Sequence, residues 1–310
     1  MNVHTVSVDT ASATAIVRAV LRRPLNVTAT RPLHGGMVNA VYEWATDGEP
    51  ARIVAKLSSK TGNVFEHECG MLRWYRQHTR FPVPEPYGCL ADERVFRGSV
   101  LLMQRMPGCN LAEAQLTRAG MRHFQHDLAG HVASLHEHRS DTYGSALVAQ
   151  LSKLRYARWL DWFAPKLEYN YQTARPRLSP RARDVTARLL ARLDDWLPEC
   201  HSPTLVHGDL WATNIIVDDN DADPPVITAF VDGAALYCDP EYELAYLRVF
   251  HTANSDFFDR YCEHHALREG FERRCRVYWL NTLLLHVWHF GMEYAPRTES
   301  LAAEIGRLDA

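Results

Sequence analysis

The chain has 310 residues, of which 46% are hydrophobic and 23% are charged, and it contains 16 glycines and 16 prolines. This composition excludes collagen-like, low-complexity and disordered proteins, and the length is sufficient for one large domain or two lobes. The formal net charge of −3 argues against a general nucleic-acid-binding surface, which would be basic. A small neutral or cationic partner is more compatible with this charge.

The seven cysteines are odd in number, lie far apart and include no C-x-x-C pair. They indicate neither a disulfide framework nor a zinc ribbon, so we expect a reducing, cytoplasmic environment. The N-terminal residues lack the basic start and unbroken apolar core of a signal peptide. The longest charge-free stretch, 277–292, has 16 residues, fewer than the roughly 20 that span a bilayer. We therefore expect no membrane association.

The first hundred residues predict a sheet with little helix. A helical pattern that includes residues 16–21 comes first, and short apolar or alternating runs between glycine and proline turns follow it. These runs predict strands, and one helical repeat among them predicts an internal helix. The predicted strands are 27–33, 38–44, 52–57, 87–90 and 100–103, and the internal helix is 65–75.

From Leu111 onward the periodicity of the apolar residues is mainly helical. The predicted helices are 111–136, 145–171, 179–198, 239–252 and 269–292, and short strands around 205–206, 215–217 and 226–231 interrupt them. The change in pattern places a boundary near 104–108. We predict an N-terminal lobe of residues 1–106 and a helical C-terminal lobe of residues 107–310.

A polar loop lies between two apolar strands and runs from His207-Gly208-Asp209 to Asn214. Asp209 and Asn214 are five residues apart, so a carboxylate and an amide oxygen can converge on one small volume. A carboxylate can orient or deprotonate a hydroxyl, and an amide oxygen suits Mg²⁺. The alternative is a turn in which these two side chains bond only to their own backbone.

A second carboxylate, Asp232, ends the apolar run 228–231 and precedes Gly233. A carboxylate at the end of a buried strand is well placed to bind a metal ion, and a glycine after it lets the chain turn away. A two-stranded return between Asn214 and Asp232 would bring the two residues together. The alternative is a plain Asp-Gly turn.

Lys56 is one of only four lysines among 34 basic residues, yet it lies inside the apolar run 53–57. A lysine in such a run must reach water or find a partner, and a phosphate together with a carboxylate would satisfy it. Glu68, on the helix that follows, is the candidate carboxylate. The alternative is an edge-strand lysine that faces solvent.

Gly35 and Gly36 form a turn between the first two predicted strands, where backbone N–H groups could cover phosphates. This signal is weak, because the turn matches neither G-x-G-x-x-G nor the Walker A motif and hairpins commonly use Gly-Gly.

Together these features match the parts that kinases use for phosphoryl transfer. The chain resembles the kinase-like phosphotransferase superfamily that includes aminoglycoside, choline and fructosamine kinases. The catalytic loop of that superfamily, H-G-D-x-x-x-x-N, is matched at residues 207–214, and its strand-end Asp is matched by Asp232. The following block, D-P-x-x-[DE]-L-A, is matched at residues 239–245.

Within the superfamily, the nearest resemblance is to fructosamine (ketosamine) kinases. Leu210-Trp211 resembles their H-G-D-L-W motif, residues 241–245 resemble E-x-E-L-A, and residues 278–291 resemble their closing helix. The chain departs from the family pattern at a few positions, which concern the acceptor more than the chemistry. These positions are Gly233, Cys238, which follows Tyr237 where the family often has glycine, Leu285 and Trp288.

The resemblance implies an α+β, two-lobed protein-kinase-like fold, with a five-stranded antiparallel N-lobe plus a helix and a mainly helical C-lobe. It implies ATP and Mg²⁺ as cofactors, Asp209 as the catalytic base, and Asn214 and Asp232 as the metal ligands. It also implies that Asp239 braces the catalytic loop. The residues expected to bind ATP are Lys56, Glu68, Gly35, Gly36, Met103, Gln104 and Met106.

The acceptor that we expect is a hydroxyl of a ketosamine, with an aminoglycoside-like or other small hydroxylated amine as the alternative. Sugars pack on aromatic faces and hydrogen-bond at their edges, and five aromatic or imidazole side chains are candidates for this contact. They are Trp211, Trp279, His286, Trp288 and His289. The alternative is that the last four only fill the core of the C-lobe.

Two functions of other classes remain open. A metallohydrolase could use His207 and Asp209 as metal ligands, although two-metal sites need several more His and Asp residues. A pseudokinase could keep the fold without turnover, although its usual mark, loss of the lysine, base or metal ligands, is absent from this sequence.

Overall fold

The computed structural model describes residues 7–33, 39–147, 155–218 and 224–309. The chain forms two compact units, one of residues 1–127 and 212–234 and the other of residues 128–211 and 235–310. The chain therefore passes between the units at 127/128, 211/212 and 234/235. The sequence predicts a single boundary after residue 106, and that division into lobes stays a prediction.

The described residues form both helices and strands, and only helices follow the last strand, which ends at Cys238. The helices are α1 (Thr10–Leu21), α2 (Glu66–His78), α3 (Arg118–Leu135), α4 (Trp159–Ala174), α5 (Pro180–Ala191), α6 (Leu193–Trp196), α7 (Pro240–Val249), α8 (Ser255–Cys262), α9 (Phe271–Phe290) and α10 (Ala295–Leu308). The strands are β1 (Val27–Pro32), β2 (Ala40–Thr46), β3 (Arg52–Ser58), β4 (Pro86–Leu90), β5 (Ser99–Gln104), β6 (Cys109–Asn110), β7 (Tyr143–Ser145), β8 (Arg155–Tyr156), β9 (Thr204–Val206), β10 (Ile215–Asp218), β11 (Val226–Phe230) and β12 (Leu236–Cys238).

The first unit contains a five-stranded antiparallel sheet in the order β1-β2-β3-β5-β4. Each of its five strands was predicted, with bounds that shift by one or two residues. Because side chains alternate between the faces of a strand, Ile53 and Ala55 pack into a core that also contains Ile16 of α1. Val54 and Lys56 face the opposite side and line a cavity.

A second, three-stranded sheet of the first unit has the order β11-β10-β6. The antiparallel register pairs Ile215 with Phe230, so the start of β10 lies beside the end of β11. Phe230 stacks on Phe81 with ring centroids 4.1 Å apart, and its N–H donates to the carbonyl of Pro82 at 2.8 Å. These contacts attach the segment 212–234 to the chain that follows α2.

The second unit contains a four-stranded sheet in the order β8-β7-β12-β9. Helices α4, α7 and α10 pack against α9, and α9 buries most of its length, including Tyr278 and Leu284. The predicted helix 145–171 is wrong over its first part, because Arg155–Tyr156 is a strand. The sequence also did not predict α8, although Asn254 caps it by accepting from the N–H groups of Asp256 and Phe257, or α10.

No helix within the four described ranges combines the length and the apolar character needed to cross a membrane.

The segment after β5 is held in place by one arginine. The Arg105 guanidinium donates to Glu43 at 2.6 Å and to the carbonyl of Gly108 at 2.9 Å, and it also contacts the carbonyl of Met106. Gly108 has φ +92°, and a Cβ there would collide with the carbonyl oxygen of Val217. Position 108 therefore requires glycine, both for its backbone angle and for the close approach of β10.

We expect Gly108→Ala to destabilise the protein by roughly 2 kcal/mol or more, because it adds a backbone clash to a strained φ. Gly130→Ala is the matched control, since Gly130 lies inside α3 and a Cβ there meets nothing within 4 Å. That variant should gain about 0.5–1 kcal/mol from its helix propensity. Thermal unfolding midpoints should rank Gly108→Ala lowest and Gly130→Ala highest, and equal midpoints for the two variants would contradict this assignment.

Candidate active site

Lys56 is the central cation of the first unit. It lies on β3 and is only 7% exposed. Its Nζ donates to Glu68 Oε1 at 2.8 Å and Oε2 at 3.0 Å, and it also forms an ion pair with Asp232 Oδ1. The structure thus contains the predicted contact between Lys56 and Glu68 and brings Asp232 to the same ammonium group.

The two carboxylates determine the charge of this cluster. Burial lowers the pKa of Lys56, but the negative charges of Asp232 and Glu68 outweigh it and raise the pKa above its ordinary value. Burial also raises the pKa of Glu68 to about 7, with Asp232 acting in the same direction and Lys56 opposing it. Since two carboxylates share one ammonium ion, the cluster has an excess of negative charge that a further cation would balance.

Asn214 and Asp232 lie beside each other at the end of the second sheet. Asn214 ends a short 3-10 turn, Ala212–Asn214, and its carbonyl accepts from the N–H of Val231 at 3.0 Å. The two-stranded return that the sequence predicted is therefore present. Asp232 has a positive φ of 61°, which turns the chain away after the strand.

The side chains of Asn214 and Asp232 fit the chemistry of Mg²⁺. Both line the same cavity, and the Asp232 side chain is 39% exposed. Mg²⁺ is usually bound by one or two carboxylates together with waters and substrate phosphates rather than by a complete protein cage. Within the described ranges, no group of three or more His, Cys, Asp or Glu side chains could hold a metal ion.

The cavity has a volume of about 610 Å³, which lies in the range typical of sites for small molecules and cofactors. Residues of one compact unit line it, from β3, from the end of β5 and from the segment 212–234. Among them are the sequence-predicted residues Lys56, Met103, Gln104, Met106, Asn214 and Asp232. Gly35 and Gly36 lie outside the described residues.

The loop that carries Asp209 belongs to the second unit and is fixed through its backbone. The N–H of Gly208 donates to Glu243 Oε1 at 2.8 Å. The other oxygen of Glu243 lies 3.1 Å from Nε2 of His136, whose Nδ1 lies 2.7 Å from the hydroxyl of Tyr261. His136 is fully buried, and burial lowers its pKa, with Glu243 opposing. A buried polar network thus holds the loop.

The side chain of Asp209 also has a partner on α7. The hydroxyl of Tyr246 donates to Asp209 Oδ1 at 2.5 Å. Tyr246 follows the E-x-E-L-A block directly, and we did not identify it from the sequence. The spacing could have identified Tyr246, because Glu243 and Tyr246 are three residues apart and therefore lie on one face of a helix.

Asp239 supports α7 and does not contact the loop directly in the hydrogen bonds of the described residues. Its side chain accepts from the N–H of Glu241 at 3.0 Å and so caps α7. It also accepts from the hydroxyl of Tyr278 at 2.8 Å and pairs with Arg268. The contact that braces the loop comes from Glu243, one turn further along α7.

Two of the aromatic candidates lie in one cluster near Asp209. The Phe250 ring centroid lies 6.2 Å from that of Trp211 and 5.0 Å from that of His286. His286 donates from Nδ1 to the carbonyl of Thr282 at 2.8 Å. Burial lowers its pKa, although that hydrogen bond and the charge of Asp209 act in the opposite direction.

The other three candidates are placed differently. Trp279 donates its indole N–H to the carbonyl of Ala245 at 2.7 Å and so ties α9 to α7. Trp288 packs edge-on against Tyr169 of α4, with centroids 5.9 Å apart. His289 is exposed. The structure therefore does not place Trp288 in the cluster around Phe250, and its role in binding the acceptor stays a prediction.

Comparisons with known proteins identify similar chains over almost the full length. A model of the fructosamine kinase family matches residues 10–307. The ketosamine-3-kinase of Mus musculus is 27% identical over 313 residues, which cover 90% of this chain and 96% of the mouse protein.

Two solved structures have a similar fold. A protein assigned as a fructosamine-3-kinase from Haemophilus somnus aligns with a TM-score of 0.72 and 19% identity over 95% of this chain and 97% of that one. An aminoglycoside phosphotransferase in a complex with ADP and hygromycin B aligns with a TM-score of 0.69 and 18% identity over 96% of this chain and 99% of that one. The predicted α+β, protein-kinase-like fold class is confirmed.

The raised pKa of Glu68 predicts a pH dependence of stability. An ordinary glutamate titrates near 4.5, whereas Glu68 in the folded protein titrates near 7. Between these values the folded state binds more protons than the unfolded state, so this group makes the free energy of unfolding fall as the pH rises. In Glu68→Gln this contribution is absent.

Chemical denaturation at several pH values from 4.5 to 8 checks this prediction. The stability of the wild type minus that of Glu68→Gln should be greatest at the acidic end and should decrease toward pH 8. Glu66→Gln, an exposed position on the same helix, is the control for losing a glutamate from α2. A difference that is constant or grows with pH would contradict the raised pKa.

Proposed function

Because the chain belongs to the fructosamine kinase family, we propose that it is an ATP-dependent kinase that phosphorylates a hydroxyl group of a ketosamine. Its enzyme class is that of phosphotransferases with an alcohol group as acceptor. The observation that carries the proposal for the donor is the buried Lys56, which Glu68 and Asp232 hold at the wall of a large cavity.

ATP, the phosphate donor, is proposed to bind in this cavity. The volume of about 610 Å³ accommodates a nucleotide, and we expect Met103, Gln104 and Met106, which line the cavity, to contact adenine. Lys56 carries the positive charge that α- and β-phosphates require. The similar aminoglycoside phosphotransferase was solved with ADP, which supports a nucleoside phosphate as the ligand.

Asn214 and Asp232 are proposed to hold Mg²⁺ when ATP is bound. The metal ion would neutralise part of the negative charge on the β- and γ-phosphates. Its positive charge would also balance the excess of carboxylate around Lys56.

Asp209 is proposed to accept the proton of the acceptor hydroxyl. The hydroxyl oxygen then forms a bond to the γ-phosphorus, the bond from that phosphorus to the β-phosphate oxygen breaks, and ADP leaves. The loop that carries Asp209 is fixed at Gly208 by Glu243, so the carboxylate is preorganised for this step.

The acceptor is proposed to be a fructosamine or a ribulosamine. The family and the mouse ketosamine-3-kinase support this class. The aromatic cluster of Trp211, Phe250 and His286 near Asp209 supports a sugar, since sugar rings pack on aromatic faces.

Asp209→Asn should lower kcat by roughly 10²–10⁴-fold, because it removes the proton acceptor, while the affinity for ATP should remain close to that of the wild type. Isothermal titration with a non-hydrolysable ATP analogue and a coupled ADP assay measure the two quantities. Asp259→Asn, an exposed position on α8, is the control and should keep full activity. Near-wild-type turnover by Asp209→Asn would refute the assignment of the base.

A screen of acceptors tests the substrate class. ADP release should depend on added ribulosamines or fructosamines and should be weak with aminoglycosides and choline-like alcohols. Turnover confined to aminoglycosides or choline would refute the ketosamine assignment but leave the kinase assignment intact. ATP binding without turnover on any acceptor would favour a pseudokinase.

A further inference from the structure

We propose that Tyr246 is a positioning residue for the catalytic base: its hydroxyl donates to Oδ1 of Asp209 and so fixes the orientation of the carboxylate that receives the proton of the acceptor. This inference rests on the proposed function, because it assumes that Asp209 is the base. It concerns a residue that directly follows the 239–245 motif.

Two successive residues of the loop, Gly208 and Asp209, are bound by side chains from one face of α7. Glu243 accepts from the backbone of Gly208 at 2.8 Å, and Tyr246 donates to the side chain of Asp209 at 2.5 Å. The two side chains are nearly one turn apart on α7. The backbone of the loop and the direction of its carboxylate are therefore fixed from the same rigid element.

Tyr246 is itself held in place. Its ring packs edge-on against Phe250 with centroids 4.9 Å apart. The next residue toward the N-terminus, Ala245, accepts the indole N–H of Trp279, which ties this turn of α7 to α9. A phenol with a fixed ring can direct its O–H toward one carboxylate oxygen only, and this restricts the rotation of the Asp209 side chain.

The electrostatics make Tyr246 the donor of this bond. Burial raises its pKa, and the charge of Asp209 raises it further, with smaller effects from Tyr242 and Tyr294. The phenol therefore stays protonated and donates. The charge of Asp209 also acts on His286 of α9, whose pKa is lowered by burial.

The hydrogen bond from Tyr246 fixes one oxygen of the Asp209 carboxylate, so the carboxylate keeps one orientation during the proposed proton transfer. If the hydrogen bond of Tyr246 were only structural, its loss would not affect catalysis. Measurement of kcat distinguishes the two cases.

The test uses Tyr246→Phe, which removes the hydroxyl and keeps the ring. We expect kcat to fall roughly ten-fold, as is typical for the loss of an interaction that positions an acid–base group, with little change in the KM for ATP. Because the hydroxyl acts on the base and not on substrate binding, the KM for the acceptor should also change little, so the loss should appear in kcat.

Tyr278→Phe is the matched control. Tyr278 also donates its hydroxyl to a buried aspartate, Asp239, at 2.8 Å, but it has no contact with the loop in the hydrogen bonds of the described residues. This variant should lower the thermal unfolding midpoint without lowering kcat. The same fall in kcat in both variants would overturn the proposal, because it would come from a general loss of stability.

An unchanged kcat in Tyr246→Phe would overturn the role of Tyr246 but leave Asp209 as the base. Wild-type turnover in Asp209→Asn would overturn the assignment of the base and this proposal with it, whereas the absence of ADP release with every ketosamine would overturn the proposed function. If Tyr246→Phe does not fold, a ring-fluorinated tyrosine at position 246 serves as the second test. This phenol keeps the O–H that donates to Asp209, so kcat should stay close to that of the wild type, and a ten-fold fall in kcat would count against the proposal.

Discussion

The burial of one ammonium group, that of Lys56, constrains the arrangement of the first unit. A charge that is only 7% exposed is costly unless carboxylates compensate it. The compensating groups come from positions 12 and 176 residues away in the sequence. The segment 212–234 therefore has to return to the first unit after the chain has formed much of the second. The same return brings Asn214 and Asp232 to the wall of the cavity.

A second constraint acts on the loop around Asp209. Helix α7 begins at the cap provided by Asp239 and directs Glu243 and Tyr246 toward two neighbouring residues of the loop. A hydrogen bond between an N–H group and a buried carboxylate contributes about 1.5–3 kcal/mol, and breaking it would leave Glu243 short of a partner. The capping of one helix and the position of the proposed base are thus parts of the same local structure.

The predicted elements that proved correct are those with a local signal. The short apolar runs in residues 52–57 and 100–103 predicted β3 and β5, and the H-G-D-x-x-x-x-N spacing predicted a loop between two strands. Two of the missed elements have no such signal, because β7 has three residues and β8 has two. They exist because they pair with β12 and with each other, and long-range backbone pairing leaves little trace in a short segment.

The sequence by itself determined which residues could perform phosphoryl transfer, because their chemical types and spacing are local properties: a lysine in an apolar strand, a carboxylate and an amide five residues apart, and an aspartate at a strand end. Only the tertiary structure decided which partners they have. It placed Asp232 on Lys56, made Glu243 rather than Asp239 the contact of the loop, and brought Tyr246 to Asp209. Such choices depend on which buried charges and hydrogen-bonding groups meet across distant segments, and side-chain type alone does not specify that.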